Sequence, residues 1–255
     1  MIYFYFYIIS FSIIGYGFLI SKYLDIDEYN FGFLGLIGII FFSFLFYFSS
    51  FFFKHDYLFN TLFIIIGLLL FIFFFKKIKN FKKNLISYSI VFIFLILFVS
   101  IAKNHDDFPY YHFPYMILLT EYSHPLGLGL LNNGFRSPSS IFFIGSMFYL
   151  PGIKFYLFHL TPALIMGFSN LLLLNFIFDK KIFYHNKFIS FLSLLSLMFI
   201  NIFFYRLAEH GTDRSGMIFI IISVIYLLFI INNPNQNFDN ENSNYLKIIS
   251  IFICF

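Results

Sequence analysis

Two adjacent carboxylates, Asp106 and Asp107, stand near the start of the longest polar-bearing stretch of the chain, KNHDDFPYYHFPYMILLTEYSHPLGLGLLNNGFRSPSS from Lys103 to Ser140. They follow an apolar run almost at once. Neighbouring carboxylates beside a low-dielectric layer repel, and the strain is relieved by taking up a proton, as a general base does, or by sharing a divalent cation such as Mg or Mn. A third carboxylate, Asp213, lies in a second polar stretch, RLAEHGTDRSG. Arg136, Arg206 and Arg214 belong to the same two stretches, and planar guanidinium groups bind phosphate or diphosphate bidentately. The plainer alternative is that the acids are interfacial charges flanking membrane spans and that Arg136 is a snorkelling anchor.

Histidine is concentrated in the same places: His105, His112, His124 and His210 are four of the seven in the chain. His105 and His112 have no zinc-ligand spacing and no cysteine nearby, so hydrogen bonding to water or to a carboxylate is the expected role. His112 is the best functional candidate, since Pro109 and Pro114 stiffen its surroundings. Arg136, in NNGFRSPSS, precedes a short apolar run starting near Ser139. The N-terminus of that half-helix together with the guanidinium would form an anion site.

The elements that must position these residues are set by lipid. Apolar residues make up 60% of the 255 positions and charged ones 11%, too little polar surface to cover a globule in water. The expected fold is all-α, a polytopic transmembrane bundle. A hydrocarbon core about 30 Å thick needs roughly 20 apolar residues in a helix, which places spans at 1–20, 31–53, 57–75, 85–102, 153–178, 188–205 and 215–232. An eighth run begins near Tyr245 and stops at Phe255, about half the length needed, so a continuation beyond Phe255 is expected. His159, Pro162, Ser169 and Asn170 interrupt the fifth span, where interhelical hydrogen bonds and a proline kink account for them.

Orientation follows from basic residues. Lys76, Lys77, Lys79, Lys82 and Lys83 share one short connection and Lys180, Lys181 and Lys187 another, which makes both cytoplasmic. The N-terminus and the loops 103–152 and 206–214 are then external, with ten Lys or Arg inside against six outside. The parity holds if 139–150, bounded by Pro138 and by Pro151 with Gly152, forms an interfacial or re-entrant helix. Pro114 and YMILLTEYSH predict a second short helix, lying on the membrane and ended by Pro125. The Asn-rich stretch 232–244 reads as a solvated cytoplasmic loop. The net charge of +4 sets orientation and gives no reason to expect nucleic acid, and a single cysteine, Cys254, excludes an intramolecular disulfide. The chain carries no P-loop, dinucleotide fingerprint or internal repeat, and reads as one transmembrane domain over 1–255.

An acidic pair after an early span, the YHFPY segment, an EY pair, GLGLLNNGFRSPS and a short half-helix together resemble a group of uncharacterised bacterial multi-pass membrane proteins. That group is similar to the glycosyltransferase C superfamily, whose members carry an acidic motif in an external loop. The resemblance covers mainly Asp106 to Pro151, with support from Glu209 to Gly216. It implies a helical bundle of the bacterial inner membrane that moves a sugar from a polyprenyl-phosphate carrier to a cell-envelope glycan or lipid on the outer face. Asp106 or Asp107 would match the superfamily's loop carboxylate, as base or metal ligand, with Asp213 as a further acid. In the superfamily the acidic motif more often follows the first span; here it follows the fourth. Two other readings fit the residues: a polysaccharide polymerase or ligase relying on external Arg and His, and a transporter or flippase that binds without making bonds.

Overall fold

The computed structural model describes residues 2–26, 30–78, 81–100, 106–123, 127–203, 212–232 and 241–253. Among these residues there is no β-strand, and eleven α-helices follow one another: α1 (Ile2–Tyr23), α2 (Phe31–Ser50), α3 (Tyr57–Phe74), α4 (Phe81–Ser100), α5 (Phe113–Glu121), α6 (Ser140–Ser146), α7 (Leu160–Phe178), α8 (Lys180–His185), α9 (Lys187–Phe203), α10 (Thr212–Asn232) and α11 (Glu241–Ile253). The long helices fall where the apolar runs predict helix, because in lipid every backbone N–H and C=O must be satisfied within its own segment; two bounds differ, since residues 153–159 form turns and α7 starts only at Leu160, and α11 starts at Glu241 inside the stretch expected to be loop. Side-chain caps mark where several begin: Asn30 accepts from the Phe33 amide at 2.7 Å, Asp56 from that of Phe59 at 3.0 Å and Ser139 from that of Ile141 at 3.3 Å.

Five helices, α1, α2, α3, α7 and most of α10, are long and apolar enough to cross a membrane. The apolar helix α9 is shorter, at 17 residues, and α4 carries Lys82 and Lys83 in its first turn. The arrangement around α7 explains why it is the most buried of the five, at 83% of its window against 22% for α3. It packs against α2, α4, α9 and α10, whereas α3 lies at the rim against α1. On α3 the exposed side chains Leu58, Leu62, Ile65, Leu69 and Ile72 recur at helical spacing, giving an apolar stripe directed away from the bundle, suited to lipid.

Close backbone approach holds the first three helices together. A methyl group on Gly15 would sit 2.0 Å from the Gly67 carbonyl of α3, and one on Gly17 1.9 Å from the Leu34 carbonyl of α2. Small residues at such seams are how helices gain dispersion contact where lipid removes the usual hydrophobic drive. Aromatic rings fill the rest: Tyr88 stacks on Phe92 at 4.2 Å and hydrogen-bonds Ser10, tying α4 to α1.

Candidate functional site

The segment after α4 enters a π-helical turn, Phe108–His112, with Asp107 at its N-cap position and Pro109 in its first turn. Such turns widen the helix and are frequent at functional sites. Here the turn brings the Tyr111 hydroxyl back to Asp107, to which it donates at 3.3 Å. Burial raises the Tyr111 pKa first; the charge of Asp107, the hydrogen bond to it and the charge of Asp213 push it further the same way. The carboxylates of Asp107 and Asp213, far apart in sequence, thus act on one phenol. Asp213 sits in the first turn of α10, where a carboxylate complements the helix dipole. Asp106 and Asp213 are exposed and Asp107 is half-buried.

The glycine-rich loop is fastened over the same turn. Asn132 donates to the Tyr110 carbonyl at 3.2 Å, and Gly134 lies so close to the Tyr111 ring that a methyl group there would be 2.5 Å from it. Arg136, two residues on, is exposed, and its Nε donates to the Gly129 carbonyl at 3.3 Å. Arg214 follows Asp213 on α10, and one of its terminal nitrogens, Nη1, is buried with no hydrogen-bond partner among the described residues. A guanidinium in that condition has donor capacity to give an anion. His112 points inward: it is buried, with its ring 4.4 Å from that of Tyr111 and 4.8 Å from that of Phe142. It forms part of the wall beneath the acidic group.

Of the residues singled out from sequence, Asp106, Asp107, His112, Arg136, Asp213 and Arg214 are thereby placed. Arg206 lies outside the described residues, as do His105, His124, His210 and Glu209. Among the described residues no three His, Cys, Asp or Glu side chains gather as a metal-binding group. His159 precedes α7 and is half-buried, Ser169 donates to the Ile165 carbonyl, and Asn170 pairs with Asn201 of α9.

Sequence reasoning missed a second polar cluster, at the corner between α2 and α3. His55 is fully buried, with Nδ1 2.7 Å from the Ser146 hydroxyl and Nε2 3.0 Å from that of Ser49. Its amide donates to the Leu119 carbonyl at 2.8 Å. Asn60 of α3, equally buried, directs its amide nitrogen at the carbonyls of His55, Ser146 and Tyr149, at 2.8, 2.9 and 3.0 Å. Burial lowers the His55 pKa to about 4, against the smaller raising effect of the Phe46 carbonyl. A neutral imidazole has one donor and one acceptor nitrogen, so it donates to one serine oxygen and accepts from the other hydroxyl in competition with the Phe46 or Phe143 carbonyl to which that hydroxyl also points. The cluster locks α5 and α6 onto the α2–α3 corner, and so fixes the base on which the acidic group stands. The signal that would have found it is Asn60 itself, an amide inside an otherwise apolar run.

Fold and site together define a helical bundle of membrane-protein type, with Asp107 and Tyr111 in the turn before α5, Arg136 in the loop before α6, and Asp213 with Arg214 in the first turn of α10. The chain belongs to the family described as a domain of unknown function, DUF8201, whose model matches residues 1–255. No curated protein and no solved structure matches it.

Proposed function

We propose that this protein is an integral membrane glycosyltransferase of the bacterial inner membrane, transferring a sugar from a polyprenyl-phosphate carrier to a cell-envelope glycan or lipid on the outer face. The observation that carries the reading is the hydrogen bond from the Tyr111 hydroxyl to Asp107, with the charge of Asp213 raising the pKa of the same phenol. In the accompanying topology α1 to α4, α7, α9 and α10 are seven crossings, α5 and α6 do not cross, and the Lys76–Lys83 and Lys180–Lys187 connections are cytoplasmic. That arrangement demands that the end of α4 and the start of α10 share a side, which their common effect on Tyr111 supports.

In the reaction, Asp107 removes the proton of the acceptor hydroxyl as its oxygen attacks the anomeric carbon. The bond from that carbon to the carrier's phosphate oxygen breaks, and the phosphate leaves with the electron pair. Tyr111 keeps its own proton, because its pKa is raised, and orients the carboxylate. Arg136, Arg214 and Arg206 would neutralise the charge developing on the departing phosphate. If a divalent cation takes part, Asp106 and Asp107 are the residues to hold it together with substrate phosphate, and it would supply further charge neutralisation there.

The test is turnover of carrier-linked sugars by purified protein in lipid, set against a variant carrying Asp106→Asn and Asp107→Asn. Transfer that disappears in the variant is expected. Equal turnover in both, or none with any polyprenyl-linked donor, defeats the proposal.

A further inference from the structure

Between α4 and α7 a cleft opens on the opposite side of the bundle's interior from the acidic group, near the lysine-rich connection. Its mouth, of about 250 Å³, is lined by Asn30, Lys83, Asn84, Ser87 and Asn175 among apolar neighbours. It adjoins a second, almost wholly apolar space of about 350 Å³ that shares Ile90, Val91 and Leu174 with the first and ends at Asn170 and Asn201. Helix geometry explains the wedge. Gly167 lets α7 approach α4 until a methyl group would meet Leu95 at 2.5 Å, and the space between the two helices runs from there to Lys83 and Asn175.

The residues along α4 are sorted by depth. Lys83, Asn84 and Ser87 occupy the first turns, and Ile90, Val91, Phe94 and Leu95 continue the same face. Eleven residues separate Lys83 from Phe94, about 16 Å of helix at 1.5 Å per residue, close to half of a hydrocarbon core about 30 Å thick. The cleft therefore has the depth of one leaflet. Ile90 and Phe94 are more than half exposed, so its flank is open to the surrounding lipid. At the deep end the Asn170 and Asn201 amides bond each other reciprocally, at 3.1 and 3.0 Å, and so make no polar demand on an occupant. At the mouth Lys83 is exposed and has no carboxylate partner among the described residues.

We infer that this cleft binds an anionic glycerophospholipid, one acyl chain lying along Ile90, Val91 and Leu174 and the phosphate meeting the Lys83 ammonium, with the amide and hydroxyl groups of Asn84, Ser87 and Asn175 around the glycerol esters. A cation at the headgroup level with hydrogen-bonding neighbours, above an apolar channel of leaflet depth, complements that molecule at both ends. The site is independent of the transfer chemistry and lies at the other end of α4.

Native mass spectrometry of the purified full chain tests it, after equilibration with equal amounts of phosphatidylglycerol and phosphatidylcholine. Phosphatidylglycerol should remain bound under activation that strips phosphatidylcholine. Lys83→Gln should lower its occupancy about fivefold, and Val91→Trp, which fills the channel, should abolish it. Ile93→Trp adds the same bulk to an exposed face of α4 and should change nothing. Equal retention of the two lipids, or an adduct insensitive to Lys83→Gln, overturns the site; this substitution is at an exposed position and stands even if Val91→Trp fails to fold. Loss with Lys83→Gln while Val91→Trp keeps the adduct would reduce the effect to surface attraction and also defeats the cleft. A two-chain species abolished by Val91→Trp would assign the space to a second copy, against the proposal.

Discussion

Two polar clusters flank α5 and α6, and they are built on opposite plans. At the α2–α3 corner His55, Asn60 and Ser146 are fully buried and direct their donors and the His55 ring nitrogens at one another and at backbone carbonyls, leaving only the Asn60 side-chain oxygen without a partner among the described residues. At the turn before α5, Asp107 and Asp213 bring charge of one sign to a single tyrosine, and a neighbouring arginine keeps a buried nitrogen unbonded among the described residues. The first plan is what burial requires, since an unsatisfied polar group away from water costs about 1–3 kcal/mol. The second concentrates charge of one sign, an arrangement better suited to a ligand or a proton than to holding the fold together. Polarity alone therefore does not mark a site; like charges brought to one phenol beside a rigid, largely uncharged cluster do.

The contrast can be broken most sharply through function. Asp107→Asn should reduce transfer about a thousandfold, or about 4 kcal/mol in barrier, while shifting resistance to thermal unfolding by less than about 0.5 kcal/mol. If stability falls instead, the acidic group is structural and the comparison collapses. Acid should attack the other cluster. The folded His55 pKa of about 4 lies below the ordinary 6.5, so between those values the unfolded chain binds a proton that the folded one refuses. Stability is complete above pH 6.5, declines by roughly 3 kcal/mol on the way down to pH 4, and levels off below it. His55→Gln should flatten that part of a pH series of melting curves.

Asn60→Ala removes the amide whose two hydrogens are shared among three buried carbonyls, and should cost about 2–3 kcal/mol in an unfolding titration with transfer activity per folded molecule unchanged. The smallest effect is spectroscopic. Asp107→Asn should move the Tyr111 pKa down, because the charge and the hydrogen bond that raise it are removed or weakened. Carbon-13 NMR of ring-labelled tyrosine, with Tyr111→Phe assigning the signal, would read the shift, and an unmoved resonance would separate Asp107 from Tyr111.

Much of the frame was legible before any coordinates. The apolar runs mark most of the long helices to within a few residues, since the length of a lipid-spanning helix is fixed by the bilayer, but α7 begins only at Leu160, seven residues after the start that its run gives. Pro114 does fall in the first turn of α5, and Ser139 does cap α6. Burial was less legible. Within the 139–150 stretch α6 is only Ser140–Ser146, and Ile141 to Phe148 are all buried. Hydropathy cannot distinguish a helix that faces lipid from one enclosed by its neighbours, because both are apolar.

The amino-acid order by itself determined that this chain is helical, with several runs long and apolar enough to cross a membrane, and that Asp106, Asp107 and Arg136 stand outside those runs. Those properties follow from local composition against a solvent of known thickness. Only the tertiary structure decided that His55 meets Ser146 and that the charge of Asp213 acts on the same phenol that bonds Asp107. Such pairings depend on how helices rotate and cross, and that is set by glycine seams and ring packing between segments distant in sequence, for which no local period carries a sign.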